Sequence, residues 1–231
     1  MPYKPAWDLQ LSLHEKVLAA QGQAGGERVD PAMAAGALML VEHPPVITIG
    51  RRPDAQQHLL ATPKLLALSG VEVSETDRGG DITFHGPGQL VAYPIIPLNR
   101  YNLNLHTYMR FLEEGVIRTL GTFNIQALRD PSSKPATGVW VRDPSATSVD
   151  GLAKICALGI KVRRWVTLHG IALNVTTDLS YFGMINACGL SRPVTSMHKL
   201  RAERCPDMAA VKATFIAQVE LLLADLPVAA A

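Results

Sequence analysis

The order of the strand-like and helix-like segments constrains the fold of this chain more than any other feature of its sequence. Apolar runs that favour strands and amphipathic stretches follow one another, but without the regular strand–helix–strand alternation that builds a parallel sheet. Strands are predicted at 36–42, 46–50, 71–73, 138–141, 152–162 and 165–175. Helices are predicted at 7–21, 62–68, 104–122 and 208–226, the last with Asp207 as its N-cap. We therefore expect an α+β fold in which helices flank a mixed or largely antiparallel sheet.

The composition indicates one folded domain. The chain has 231 residues, 48% of them hydrophobic, and a formal net charge of +2, which is too apolar and too weakly charged for a disordered chain. No apolar run approaches the roughly 18 residues of a membrane span, and the first residues lack the apolar region of an export signal. We expect a single domain over residues 1–231 that is cytoplasmic, does not enter a membrane and does not bind nucleic acid.

The three cysteines differ in their neighbours. They are odd in number and lack the close pairing of a zinc site, which favours reduced thiols and predicts no metal centre. Cys156 has apolar neighbours that are typical of a packed core. Cys188 precedes a glycine in a stretch of small residues, and Cys205 lies among arginines before a helix, where the pKa of a thiol would be lowered. The residues alone leave Cys188 and Cys205 as equal candidates for a reactive thiol.

The segment from Arg78 to Leu90 contains four glycines, a proline and a histidine within thirteen residues. Glycines let a ligand approach bare backbone N–H groups, and Arg78 and His85 add charge and hydrogen bonding. The segment matches neither the dinucleotide-binding nor the P-loop glycine pattern. Composition alone therefore favours a tight turn.

Together with its continuation, this segment reads RGGDITFHGPGQLVAYP and resembles the signature of the lipoyl(octanoyl) transferases. Three further blocks agree with that family in the same order, at residues 151–159, 168–175 and 185–190, so that the match covers about residues 40 to 200. The resemblance implies the α+β fold that these enzymes share with lipoate and biotin protein ligases, a curved mixed sheet covered by helices. An ATP-dependent ligase on the same fold and a non-catalytic module that binds lipoyl domains or carrier protein are the alternatives.

The resemblance also implies an activity and its residues. The family transfers octanoate from acyl carrier protein to the lipoyl-domain lysine of 2-oxoacid dehydrogenases or of the glycine cleavage H protein, in the first step of protein lipoylation, and needs no cofactor. Cys188 matches the nucleophile that carries the acyl thioester, and Lys154 matches the second catalytic position. The family's substrate-contacting residues correspond to Arg78, Gly79, Gly80, Asp81, Ile82, Thr83, Phe84, His85, Ala157, Leu158, Gly159, His169, Gly170, Ile171 and Ala172.

Two roles stay open for Lys154. Its small and apolar neighbours would bury it and lower the pKa of its amine, so that it could take a proton from the thiol or the incoming amine. An ammonium group would instead stabilise the thiolate. For His85 and His169, a structural hydrogen bond and proton transfer are both open. Basic clusters at 51–52, 161–164 and 199–204 could guide acidic partners.

Overall fold

This computed structural model describes residues 1–22, 30–132, 136–186 and 192–228, which contain five α-helices, several short 3₁₀ helices and nine strands. The helices are α1 (Tyr3–Ala20), α2 (Pro63–Leu68), α3 (Leu105–Thr122), α4 (Met197–Arg201) and α5 (Met208–Ala224). The strands are β1 (Ala37–Val41), β2 (Val46–Ile49), β3 (Glu72–Glu75), β4 (Ile82–His85), β5 (Gln89–Ile95), β6 (Ala127–Leu128), β7 (Val139–Arg142), β8 (Leu152–Arg163) and β9 (Val166–Asn174).

Side-chain caps fix where several helices begin. The Asn104 side chain accepts from the backbone N–H of Thr107, and the Thr107 hydroxyl accepts from the backbone N–H of Asn104, which together make a capping box for α3. Asp207 caps α5 as its sequence predicts. Helix α1 begins at Tyr3, earlier than predicted, and the short helix α4 was not predicted.

The strands form two sheets. One has six strands in the order β1–β5–β9–β8–β7–β6 with every neighbouring pair antiparallel, and the other has the order β3–β2–β4, with β2 parallel to β3 and antiparallel to β4. The predicted α+β fold is confirmed, and its strands are divided between two sheets. The second sheet exists because the glycine-rich segment, which composition alone favoured as a turn, contributes β4 as a partner for β2.

The β8–β9 hairpin forms the centre of the larger sheet. Its two turn residues, Arg164 and Trp165, have φ of 52° and 64°, the left-handed pair that matches the twist of antiparallel strands. This register pairs Gly159 with Gly170 and Ala157 with Ala172.

The two faces of the larger sheet are covered differently. One face packs against α3 and α5 in the main core, which includes Leu173 from the sheet and Phe215 from α5. On the other face, Ala6 of α1 packs with Val91 and Ala172 in a much smaller cluster. This second face therefore has room for a cavity. None of the helices in the described ranges is both long and apolar enough to cross a membrane.

Candidate active site

A cavity of about 730 Å³ is lined by residues of both sheets, of α1 and of α3. Ala157 and Gly159 of β8 lie beside their partners Ala172 and Gly170 of β9 on its wall. Because these four residues carry a methyl group or no side chain, the paired strands leave a trough in the sheet face. The volume lies within the range of about 300–1,000 Å³ that is usual for small-molecule sites.

Most of the residues predicted to bind substrate line this cavity. They are Arg78, Gly79, Gly80, Asp81, Ile82, Thr83, His85, Ala157, Leu158, Gly159, His169, Gly170, Ile171 and Ala172, together with Lys154. Phe84 does not line the cavity. Its ring stacks on Tyr181 with centroids 4.7 Å apart in the core of the smaller sheet, and its neighbours Thr83 and His85 point to the opposite face of the strand.

Several lining residues were not predicted. Gln89 and Asn174 lie inside the sequence blocks that carry the family resemblance, so their place in the cavity could have been predicted from those blocks. Tyr3 of α1 and Leu105 of α3 also line the cavity, and no local pattern indicates this because the helices that carry them lie far away in sequence.

Lys154 extends its amine along the cavity wall. Its Nζ donates to the carbonyl oxygen of Thr137 at 3.1 Å and lies 4.7 Å from the centroid of the Trp140 ring. Among the described residues, no carboxylate lies within ion-pair distance of this amine. A carbonyl acceptor and an aromatic face are both contacts that suit an ammonium group.

His85 is buried, and protein groups occupy both of its ring nitrogens. Its Nδ1 donates to Gln89 Oε1 at 2.8 Å, because the Gln89 amide nitrogen already donates to Asn174 Oδ1, and its Nε2 lies 3.3 Å from the Thr48 hydroxyl. Burial lowers the pKa of His85 to about 3. His85 is therefore neutral and held as a hydrogen-bonding element of the wall. Asn174 continues this network by donating to the carbonyl oxygen of Thr195.

His169 also lines the cavity, where it contacts a carboxylate and an aromatic ring. Its Nε2 lies 2.8 Å from Asp77 Oδ1, and its ring stacks on Trp7 with centroids 4.5 Å apart. Burial lowers the pKa of His169 to about 4, although the neighbouring carboxylate opposes this shift. Burial would raise the pKa of Asp77, but hydrogen bonds from Lys161 and His169 lower it overall. His169 is thus a neutral donor to a carboxylate, and that carboxylate also neutralises part of one predicted basic cluster.

Neither of the two cysteines that the structure describes lines the cavity. Cys156 is fully buried in the main core as predicted, and burial raises the pKa of its thiol. Burial also raises the pKa of Cys205, so the prediction that nearby arginines lower it is wrong. One physical reason is that the Arg201 guanidinium donates to the carbonyl oxygens of Phe123 and Asn124.

Cys188 lies outside the described residues, in the stretch 187–191. The described chain on both sides of that stretch reaches the cavity, since Phe182 and Val194 line it. Val194 forms a bridge with Lys154, and the backbone N–H of Lys154 donates to the carbonyl oxygen of Pro193. Within the described ranges, no three His, Cys, Asp or Glu side chains gather in a way that could hold a metal ion.

Known proteins are similar to this chain in sequence or in fold. A model of the lipoyl protein ligase A/B catalytic domain matches residues 2–220. An octanoyltransferase of Solibacter usitatus is 45% identical over 190 residues, covering 82% of this chain and 77% of its own. An octanoyltransferase of Chloroflexus aurantiacus is 43% identical over 221 residues, covering 94% and 87%. A solved structure of a bipartite lipoate protein ligase from Thermoplasma acidophilum aligns with a TM-score of 0.66 at 16% identity, covering 94% and 80%, which confirms the predicted fold.

Proposed function

This chain belongs to the family of lipoyl protein ligase A/B catalytic domains, and on that premise we propose that it transfers an octanoyl group from acyl carrier protein, through a thioester on Cys188, to a lipoyl-domain lysine. Its activity is octanoyl transfer in protein lipoylation, which makes it an acyltransferase. The proposal concerns three points: acyl carrier protein as the donor, the thioester on Cys188, and the roles of individual residues.

The observation that carries the proposal is the trough beside Lys154. The trough suits an unbranched acyl chain, since its walls are Ala157, Gly159, Gly170 and Ala172. The amine of Lys154 lies in the same cavity and can transfer protons during the reaction. Burying about seven acyl carbons at ~0.8 kcal/mol each would contribute roughly 5 to 6 kcal/mol. That free energy is enough to hold the chain while its carbonyl reacts.

In the first half of the reaction, the Cys188 thiolate attacks the thioester carbonyl of the donor. A new sulfur–carbon bond forms, the bond to the donor sulfur breaks, and the leaving thiolate takes a proton from the Lys154 ammonium. The products are an acyl-cysteine, a free donor thiol and a neutral Lys154 amine. The carbonyl and aromatic contacts of Lys154 support the ammonium as the form present before the reaction.

In the second half, the lipoyl-domain lysine attacks the acyl-cysteine. Its ammonium loses two protons as the amide forms: Lys154 takes one, the other leaves to water, and Cys188 departs as thiolate. His85 is a poor alternative base because both of its ring nitrogens are occupied. The step runs downhill since an amide is more stable than a thioester, so no ATP is required.

The decisive experiment is an intact-mass measurement after the full chain is incubated with octanoyl acyl carrier protein. We expect one octanoyl adduct that maps to the peptide containing Cys188 and disappears on later addition of a lipoyl domain. The variant Cys188→Ala should lose both adduct and transfer, while the matched control Cys205→Ala should keep both. Normal transfer by Cys188→Ala would refute the thioester mechanism.

The same assay separates the ligase alternative. Transfer should proceed from octanoyl carrier protein without ATP, and free octanoate with ATP should give neither octanoylated lipoyl domain nor pyrophosphate. Pyrophosphate release that keeps pace with acylation would favour an ATP-dependent ligase instead.

A further inference from the structure

A buried carboxylate lies behind the peptide group that receives the Lys154 amine. Glu113 of α3 is fully buried, and its Oε1 accepts a hydrogen bond from the backbone N–H of Gly138 at 3.2 Å. The carbonyl oxygen of that same peptide group belongs to Thr137, and it accepts from Lys154 Nζ at 3.1 Å. One peptide unit thus connects the carboxylate to the amine.

The sequence does not reveal this arrangement. A charged residue of an amphipathic helix is expected at the protein surface, yet the side chain of Glu113 is inside the protein. Arg110 lies 2.5 Å from the Glu113 carboxylate and Arg129 lies 3.2 Å from it, so the buried charge is compensated. A carboxylate of this kind is costly to bury unless it is paired and hydrogen-bonded, and here it is both.

Gly138 shows how closely the peptide and the lysine stem approach. Its φ of 136° lies in a region that favours glycine, and a Cβ built there would lie 3.1 Å from Lys154 Cε and 2.9 Å from the carbonyl oxygen of Cys156. The lysine stem therefore lies directly against the peptide group that Glu113 orients. Hydrogen bonds in series also polarise one another, so a carboxylate at the N–H end strengthens the carbonyl as an acceptor.

We propose that Glu113 is a positioning residue for Lys154 and acts through the peptide group between Thr137 and Gly138. Glu113 orients and polarises this group, and the carbonyl oxygen then holds the amine of Lys154 as an ammonium at the cavity wall. The consequence for the reaction rests on the proposed function, in which Lys154 is catalytic. The placement of the amine itself does not depend on that function.

The chain supplies a matched control. Glu114 is the next residue of α3 and pairs with Arg129 and Arg118, whereas the hydrogen bond from the Gly138 N–H goes to Glu113. Glu114→Ala therefore removes an ion pair to Arg129 and leaves the peptide group untouched. Glu113→Ala removes the acceptor itself, and Glu113→Gln keeps an oxygen that can accept from the peptide N–H.

The first measurement is the rate at which limiting acetic anhydride acetylates Lys154 at a fixed pH, read by peptide mass and normalised to the exposed Lys64 of the same molecule. Glu113→Ala should acetylate about fivefold faster or more than Glu114→Ala, since the Thr137 carbonyl, no longer oriented and polarised by the carboxylate, holds the amine less firmly. Glu113→Gln should give an intermediate rate and also serves if the alanine variant fails to fold. Rates for both Glu113 variants within twofold of Glu114→Ala would overturn the inference.

The second measurement is octanoyl transfer, and it distinguishes failure of the inference from failure of the proposed function. We expect kcat to fall about tenfold or more in Glu113→Ala with KM for the donor nearly unchanged, and to stay within twofold in Glu114→Ala. If Lys154→Met keeps normal transfer, the proposed catalytic role of Lys154 is wrong, while acetylation still decides whether Glu113 positions the amine.

Discussion

Acidification from pH 7 to pH 5 should destabilise this protein steeply, because it buries several histidines in neutral form. Burial lowers the pKa of His43 and His169 to about 4 and that of His85 to about 3, and it shifts His14 in the same direction. A histidine with a lowered folded-state pKa is protonated first in the unfolded chain, whose pKa is about 6.5. The stability is therefore fully present above pH 6.5 and is lost as the pH falls towards the folded-state values.

The size of the effect follows from these values. Between pH 7 and pH 5, a histidine whose pKa changes from about 6.5 unfolded to about 4 folded loses about 2 kcal/mol of stability. Three such groups give about 5 to 6 kcal/mol, a large part of the 5 to 15 kcal/mol typical of a domain. The pKa values of Asp130 and Asp143 are lowered to about 2. The stability that these two carboxylates provide is therefore lost below about pH 4, and it does not change between pH 7 and pH 5.

Urea unfolding at the two pH values tests the reasoning with a single substitution. In His85→Asn, the amide nitrogen can replace the ring Nδ1 as donor to Gln89, but the side chain no longer titrates. The loss of unfolding free energy between pH 7 and pH 5 should shrink by about 2 kcal/mol relative to the parent chain. The control His106→Asn, at an exposed position, should leave this difference unchanged. Equal losses in the parent and in His85→Asn would refute the burial argument.

Three further predictions concern the cavity and its surroundings. Gly159→Val should lower kcat/KM for octanoyl transfer at least about tenfold, because a Cβ at this position already meets Arg78 Cδ at 3.0 Å. The decrease should be smaller for a shorter acyl donor, and equal decreases for both donors would contradict the prediction. In the native protein, Cys156 should resist an aromatic disulfide reagent and Cys205 should react more slowly than a free thiol, because burial raises the pKa of both thiols. Rapid labelling of either cysteine would contradict this prediction. Asn174→Leu should cost about 2 to 3 kcal/mol in urea unfolding, because it removes the partner of two buried polar groups, and an unchanged midpoint would show that the network adds no stability.

The sequence predicts well what depends on local periodicity. Helix α3 was predicted at 104–122 and is observed at Leu105–Thr122, because its apolar spacing lies within one stretch of chain. Strands β8 and β9 were placed within one or two residues of their observed bounds for the same reason. The blocks that carry the resemblance also predicted most of the cavity wall.

What the sequence does not predict depends on groups that meet from distant parts of the chain. Glu113 looks like a surface charge until Arg129 and Gly138 are brought against it. Tyr3 reaches the cavity only because α1 packs across the larger sheet. The division into two sheets has the same origin, since strand partners are chosen by long-range pairing that no local pattern records.

The trough of alanines and glycines restricts how the proposed acyl slot can change by mutation. Ala157, Gly159, Gly170 and Ala172 are already the smallest residues available, so a point mutation at these positions narrows the slot, or at most deletes one methyl group. Descendants can acquire a preference for shorter acids by a single substitution, whereas accepting bulkier ones requires the hairpin and its neighbours to move apart. Gly170 is constrained in a further way, because a methyl group there would lie 2.1 Å from the Ala92 carbonyl oxygen in the neighbouring strand β5.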